Sequence, residues 1–218
     1  MARVSDLGGT PGHGRVPAPE PGEPVFGERW EGRAFALTAF TMGRIAGRNL
    51  EAFRETLDGL SPAEYHGSGY YGRWLHAAEA MLVASAILAP GAVDARARRL
   101  AGEAVDEPPD PVAPARPDYA PTAPGSLRTI EAAPAFAPGD AVRAREGARL
   151  PGYVRGHVGT VAGVRPAHVL PDTHAVFAGE NPQHVYTVRF TARQLWDEGS
   201  DEAVAVTVEL FETYLERA

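Results

Sequence analysis

A proline-rich segment is the feature of this sequence that most limits how the chain can fold. Seven prolines fall between Glu107 and Pro124, among charged residues and with few apolar ones. Because proline fixes φ and lacks a backbone N–H, such a segment can form neither a helix nor a central strand. We therefore expect a semi-extended linker over residues 107–127, with one domain on each side of it.

Upstream of the linker, apolar residues recur with the 3.6-residue period of a helix. The predicted helices cover residues 29–47, 50–60, 70–88 and 92–104. Asn49 is expected to cap the second helix, and Ser61 with Glu64 forms a capping box at the start of a further short one. Residues 29–106 are therefore predicted to form a helical domain.

The first 28 residues are rich in glycine and proline, so we expect an extended arm that packs on a partner and not on this chain's own core. Val16, Val25 and Phe26 are its candidate anchors. The run from Gly8 to Gly14 has the look of a phosphate-binding loop, but no strand is predicted before it and no helix after it. An arm lying on a partner is the better interpretation.

Downstream of the linker, apolar and polar residues alternate as they do in strands. The predicted strands cover residues 141–145, 158–164, 184–190 and 203–210. Short strands separated by turn residues favour a small SH3-like β-barrel over residues 128–218, with Gly156 and Gly159 at a tight strand entry. The predicted fold class is therefore α+β.

Composition excludes several classes of function. The net charge of −7 argues against general nucleic-acid binding, because such proteins carry a basic surface. The sequence contains no cysteine, which excludes a thiolate nucleophile and any cysteine-ligated metal within this chain. It also lacks both an apolar run of about 18 residues, as a membrane span needs, and an apolar signal-peptide segment. We expect a cytoplasmic protein that does not bind membranes.

Four histidines of the C-terminal half form a candidate metal site together with Asp172. They are His157, His168, His174 and His184. Their spacing matches no zinc pattern and lacks the i, i+4 pairing of helical ligands. We therefore predict no metal site in this chain and expect these side chains to be solvated or to order loops. His184, just before a predicted strand, is expected to bond a neighbouring loop.

Several motifs follow one another in an order and spacing that resemble the β subunit of nitrile hydratase. They are Glu23–Phe26 with Trp30-Glu31, Tyr153–Val161, Pro171-Asp172-Thr173, Pro182–Phe190 and Gln194-Leu195-Trp196. The resemblance implies hydration of nitriles to amides in a complex with an α subunit, as an αβ unit or an (αβ)2 assembly. In that family the α subunit carries low-spin Fe(III) or non-corrin Co(III) on a Cys-x-x-Cys-Ser-Cys motif with oxidised cysteines. A β subunit without cysteine is then expected to be inactive alone.

The resemblance also implies roles for particular residues. Arg54 and Arg155 match the two arginines that hold the oxidised cysteines of the partner. The arginine fork suits this role, because it donates paired hydrogen bonds to oxyanions and keeps its charge when buried. The residues that match the substrate-binding positions are Thr38, Leu50, Phe53, Tyr70 and Trp74.

Two alternatives stay open. A component of thiocyanate hydrolase shares the fold, but there the β-like region is divided between two chains. A non-enzymatic SH3-like adaptor or RNA-associated module also fits the sequence around Gly156 and Gly159. The acidic balance and the lack of an aromatic and basic cluster weigh against RNA.

Overall fold

The computed structural model describes residues 3–6, 15, 17–147, 149–196 and 203–218. Contacts between Cα atoms divide the chain into two units. The helical unit comprises residues 14–119 and 175–177, and the sheet unit comprises residues 1–13, 120–174 and 178–218. The boundary after Tyr119 falls inside the predicted linker, and residues 107–124 contain neither helix nor strand. With its helical N-terminal region and C-terminal antiparallel sheet, the fold is α+β.

Five α-helices form the helical unit. They are α1 (Arg29–Phe40), α2 (Leu50–Asp58), α3 (Pro62–Gly67), α4 (Gly69–Ala84) and α5 (Ala92–Leu100). The predicted helix over 29–47 instead widens into a π-helical turn at Thr41–Ile45. Both predicted caps are confirmed: Asn49 accepts from the Ala52 N–H, and the side chains of Ser61 and Glu64 cap each other's backbone. No helix in the described part of the chain is long and apolar enough to cross a membrane.

Helix α4 is the centre of the helical unit, because both α1 and α2 pack against it. The buried core consists of Ala46, Phe53, Ala77 and Met81, with Met42, Leu57 and Trp74 packed around it. Phe53 and Leu57 of α2 and Trp74, Ala77 and Met81 of α4 therefore meet in this core.

The described part of the sheet unit contains six antiparallel strands and two short α-helices. The strands are β1 (Leu127–Arg128), β2 (Ala141–Ala144), β3 (Val158–His168), β4 (Gln183–Thr191), β5 (Ala205–Phe211) and β6 (Leu215–Arg217), and the helices are α6 (Pro171–His174) and α7 (Ala192–Trp196). The strand order is β5-β4-β3-β2-β6, and β1 pairs with the end of β3. The four predicted strands are confirmed with shifted ends, whereas β1 and β6 are too short for a periodic pattern to predict.

The sheet is curled but not closed. Within the described residues β5 and β6 are two separate edges that do not pair, so the predicted SH3-like barrel is not confirmed. In a flat sheet of this order, strands about 4.8 Å apart would separate these edges by at least about 19 Å. The chain from Phe211 to Leu215 spans about 14 Å at most, so the sheet must bend to bring its edges towards each other.

The core of the sheet unit lies on the inner face of this bend. Tyr186, Val188 and Phe190 of β4 are fully buried there against Val142 and Val161. The Tyr186 hydroxyl accepts the Ala135 N–H (2.9 Å) and donates to the Glu212 carboxylate (2.5 Å). Burial, together with the bond to Glu212, raises the pKa of Tyr186 to about 12. This buried polar group is therefore satisfied and structural.

Phe26 and Asp6 are residues of the N-terminal arm that contact their own chain. The ring of Phe26 packs against Phe35 and Tyr71, with ring centroids 6.1 and 5.3 Å apart. Asp6 forms an ion pair with Arg155 of the sheet unit. Phe26 and Asp6 therefore contact this chain outside its two core clusters, and packing of the arm on a partner stays a prediction. The predicted anchor Val16 and the run from Gly8 to Gly14 lie outside the described residues.

Candidate functional site

Arg155 is held in place by the loop that precedes it. It follows the one-turn 3-10 helix Gly152–Val154 and stands just before β3. Its Nε and Nη2 atoms both donate to the carbonyl oxygen of Leu150, at 2.9 and 2.5 Å, and Nη2 also donates to the Asp6 carboxylate at 3.1 Å. The side chains of Arg155 and Asp6 are only 14% and 15% exposed.

This arrangement leaves one end of the Arg155 guanidinium available. No acceptor for Nη1 is found among the residues that the structure describes. A guanidinium keeps its charge even when partly buried, and its N–H groups bind oxyanions with a fixed geometry. Arg155 is therefore a pre-oriented cation that can still donate hydrogen bonds to an anion.

Arg54 is positioned by a capped helix. The Asn49 side chain accepts the Ala52 N–H at 2.7 Å at the start of α2, and the next residue, Phe53, is buried in the helical core. Arg54 itself is exposed, and its guanidinium has no hydrogen-bond or ion-pair partner within the described ranges. A long cation thus projects from a rigid helix. Arg54 belongs to the helical unit and Arg155 to the sheet unit.

Trp74 is the centre of an aromatic cluster in the helical unit. The cluster consists of Phe26, Phe35, Phe53, Tyr70, Tyr71 and Trp74. The Trp74 ring meets Phe53 edge-on at 5.1 Å and lies 5.8 Å from Tyr70. The buried Thr38 hydroxyl donates to the Trp74 carbonyl oxygen at 3.3 Å. Four of the five predicted substrate-binding residues are therefore neighbours.

The fifth predicted substrate-binding residue stands apart. Leu50, at the first turn of α2, is 54% exposed and is not part of the buried helical core. The sequence analysis also missed Phe35 and Tyr71 as members of the cluster. Tyr71 precedes Trp74 by three residues on α4, a spacing that places two side chains on one helix face and is visible in the sequence.

The aromatic cluster runs from the protein core to the surface. Phe53 is 4% exposed, whereas Tyr70 is 58% exposed and presents a phenol. The guanidinium of Arg73 lies over the rings of Tyr65 and Tyr70, 4.4 and 5.5 Å from their centroids. The cluster offers an apolar aromatic surface with the polar Tyr70 phenol at its exposed end. Such a surface can bind the apolar part of a small molecule.

The histidines of the sheet unit order loops. His184 Nε2 lies 2.8 Å from the carbonyl oxygen of Ala132, which confirms the predicted bond to a neighbouring loop. His168 Nδ1 lies 3.1 Å from the Ser126 hydroxyl. Asp172 accepts a short hydrogen bond from Tyr214. Over the described ranges, no group of three His, Asp or Glu side chains is arranged to hold a metal ion.

The most perturbed carboxylate of the sheet unit, Glu180, is structural. It accepts hydrogen bonds from the Arg128 guanidinium and from both the N–H and the hydroxyl of Thr122. These bonds, the one from Arg128 first, lower the pKa of Glu180 to about 2. A carboxylate saturated with donors in this way cannot act as a general base near neutral pH. It instead holds the end of the linker segment on the sheet unit.

Comparison with known proteins identifies the family. Its profile described as "Nitrile hydratase beta subunit, N-terminal" matches residues 1–122, and the one described as "Nitrile hydratase beta subunit, C-terminal" matches residues 125–217. A relative from Rhodococcus rhodochrous, the low-molecular weight cobalt-containing nitrile hydratase subunit beta, is 36% identical, covering 99% of each chain.

Two further relatives and one solved structure are similar. Nitrile hydratase subunit beta from Pseudomonas putida is 35% identical over 100% of both chains. The cobalt-containing subunit from Pseudonocardia thermophila is 34% identical over 99% of this chain and 96% of its own. A chain of recombinant thiocyanate hydrolase apo-enzyme from Thiobacillus thioparus is 29% identical over 39% of this chain and 78% of its own, with a TM-score of 0.37, too low to support an argument. The full-length matches show that the chain belongs to the nitrile hydratase β-subunit family.

Proposed function

We propose that this chain is the β subunit of a nitrile hydratase, which hydrates nitriles to amides together with a metal-binding α subunit. The observation that carries the proposal is the match of both family profiles along almost the whole chain. Relatives that carry this name share 34–36% of their residues with it from end to end. The complex is a hydro-lyase to which this chain contributes residues, and the chain alone is inactive.

The metal belongs to the partner in this proposal. The chain has no cysteine, so the thiolates of the family's Cys-x-x-Cys-Ser-Cys site must come from the α subunit. Two of the relatives are named as cobalt-containing, which favours non-corrin Co(III) over low-spin Fe(III) in the α subunit. Such a metal supplies Lewis-acid chemistry when it is bound.

Arg54 and Arg155 are proposed to bind the oxidised cysteines of the partner. Each can donate charge-assisted hydrogen bonds to a sulfinate or sulfenate oxygen, and such bonds are about twice as strong as neutral ones. The contacts of Arg155 support this role. Leu150 and Asp6 hold its guanidinium, and Nη1 has no acceptor among the described residues. Arg54 supports it as an exposed cation on a capped helix. Groups that orient metal ligands in this way keep the ligands in their working geometry.

Thr38, Leu50, Phe53, Tyr70 and Trp74 are proposed to line the substrate channel. The contacts that join four of them support this assignment. Their aromatic rings can exclude water from a bound nitrile and select it by shape, while the exposed Tyr70 phenol can donate a hydrogen bond. The exposed Leu50 would then close the channel from the α2 side, once the partner covers it.

The assembly and the architecture complete the proposal. We infer an αβ unit or an (αβ)2 assembly located in the cytoplasm, with residues 29–106 and 128–218 as domains flanking the 107–127 linker and an arm over 1–28. One 3-10 turn, Glu212–Tyr214, connects β5 to β6, although β6 pairs with β2 at the opposite edge of the sheet. This connection requires a curled sheet and supports an open variant of an SH3-like barrel.

Conservative arginine substitutions test the proposed function. Arg54→Lys and Arg155→Lys keep the charge but lose the fork, so we expect assembly with the α subunit and loss of turnover by about 10–100-fold. Turnover of a simple nitrile and metal content are measured on the purified complex. Arg33→Lys and Arg189→Lys, at exposed positions of the helical and sheet units, are the matched controls. Near-normal turnover in both test variants, or turnover of thiocyanate in place of nitriles, would contradict the proposal.

A further inference from the structure

We propose that Asp6 is a positioning residue for Arg155. The N-terminal arm then contributes a residue to the proposed site. The proposal rests on the function proposed above for Arg155. The two residues are 149 positions apart in sequence, yet Asp6 Oδ2 accepts a hydrogen bond from Arg155 Nη2 at 3.1 Å. Asp6 therefore contacts the group that is to bind the partner's oxidised cysteine.

Asp6 makes two further hydrogen bonds, one through its carboxylate and one through its backbone N–H. Its Oδ2 accepts the Gly152 N–H at 2.8 Å, and its own backbone N–H donates to the Arg3 carbonyl oxygen at 2.9 Å. The first contact ties the carboxylate to the 3-10 turn that carries Arg155. The second makes a tight turn of residues 3–6. The bond from Gly152 thus holds the Asp6 carboxylate relative to Arg155.

The lack of a side chain at Gly152 makes room for the Asp6 carboxylate. A Cβ atom at position 152 would lie 2.9 Å from Asp6 Oδ2, closer than atoms of this kind approach one another. Any larger residue would therefore push the carboxylate away from the Gly152 N–H and from Arg155. The close approach explains why a glycine stands here although its φ is not left-handed.

The electrostatics of the pair give Asp6 its effect on Arg155. Both side chains are about 15% exposed, so each charge is largely removed from water and depends on the other. Without the carboxylate, the guanidinium keeps only the Leu150 carbonyl oxygen as an acceptor in the described residues and can turn about that contact. Its free Nη1 would then lose the fixed direction that recognition of an oxyanion requires.

A double-mutant cycle on the complete αβ complex tests the inference. Asp6→Asn keeps the shape but removes the charge, and we expect turnover to fall about 10-fold, mainly in kcat, with metal content retained. In an Arg155→Lys background the same change should cause little further loss, because Asp6 acts through Arg155. Gly152→Ala should reproduce the loss. Glu23→Gln, an exposed carboxylate of the same arm, is the control and should change nothing.

A second measurement does not depend on activity or assembly. In the full-length chain labelled with 15N-arginine, the Nε–H signal of Arg155 is assigned by its absence in Arg155→Lys. We expect Asp6→Asn to shift this signal and speed its exchange with water, and Glu23→Gln to leave it unchanged. If Asp6→Asn prevents assembly, this spectrum decides the question alone.

Each result separates the inference from the proposed function. Full turnover in Arg155→Lys refutes the proposed role of Arg155, and with it the inference. A large loss in Arg155→Lys with normal turnover in Asp6→Asn refutes only the positioning role of Asp6. If the fold-losses in turnover of Asp6→Asn and Arg155→Lys multiply in the double variant, that role is likewise refuted. An unchanged Arg155 Nε–H signal in Asp6→Asn also refutes it.

Discussion

Gly159→Ala should destabilise the sheet unit, although glycine in a strand is usually replaced without harm. Gly159 lies in β3 beneath two side chains of β4. A Cβ at this position would lie 2.7 Å from Val188 Cγ1 and 2.8 and 2.9 Å from two ring carbons of Phe190. Both neighbours are fully buried, so neither can move into open space.

The expected free-energy change follows from two opposing terms. Forcing one methyl group into a packed core costs about 1–3 kcal/mol. Replacing glycine by alanine at a compatible backbone stabilises by about 0.4–1 kcal/mol, because the unfolded chain loses freedom. The backbone of Gly159 is compatible, since its φ is not left-handed. We therefore expect a net destabilisation on the order of 1–2 kcal/mol.

Urea unfolding of the full-length chain measures this change. Trp30→Phe and Trp74→Phe in the background leave Trp196, which belongs to the sheet unit, as the single tryptophan reporter. The matched control is Gly163→Ala in the same strand, where the nearest atom to a new Cβ is Thr187 Oγ1 at 4.0 Å. This control should be neutral or slightly stabilising.

A rescue experiment tests the steric cause. The double variant Gly159→Ala/Val188→Ala lacks the two Val188 γ-methyl groups. Its loss in the free energy of unfolding should therefore be smaller than the sum of the losses in the two single variants. Equal stability of Gly159→Ala and the wild type would refute the argument from packing. Additive losses in the double variant would refute the assignment of the clash to Val188.

The remaining predictions concern acid stability and substrate choice. The folded-state pKa of Glu180 is lowered from 4.5 to about 2 by Arg128 and Thr122, so its contribution to stability is complete above pH 4.5 and is lost as the pH falls towards 2. Glu180→Gln should therefore be less stable than the wild type at pH 7, and the difference should shrink between pH 4.5 and 2; a difference that is constant over this range would contradict the shift. Phe53→Leu in the complex should change the relative turnover of small and aromatic nitriles by about 10-fold, because even one methylene in a pocket has effects of this size. An unchanged ranking, like that expected for the exposed Leu100→Ala, would place Phe53 in the core only.

Sequence reasoning succeeded where a feature depends on near neighbours. The caps at Asn49 and Ser61 need only the following turn of helix, and both are observed. The proline-rich linker excludes regular structure by itself, and the division between the units falls within it. Gly156 also needs only local information, because its left-handed φ of 74° at a strand entry is a conformation that glycine adopts without strain.

Sequence reasoning failed where the cause lies in a distant part of the chain. Gly159 was assigned to the same tight turn as Gly156, but it is required by the side chains of β4 packed above it. The sequence predicted an SH3-like barrel without deciding whether it closes, because pairing between the edges of β5 and β6 depends on the curvature of the whole sheet. The ion pair between Asp6 of the arm and Arg155 was also not predicted, because the two residues are far apart in sequence.

The sequence by itself determined the order of helices and strands, the linker, the family and therefore the residues proposed to act. These follow from hydrophobic periodicity, backbone restrictions and motif order, which are properties of short segments. Only the tertiary structure decided which side chains support those residues. Asp6 beside Arg155 and Phe35 beside Trp74 come from segments far away in sequence, and these contacts exist because each unit adopts one particular packing.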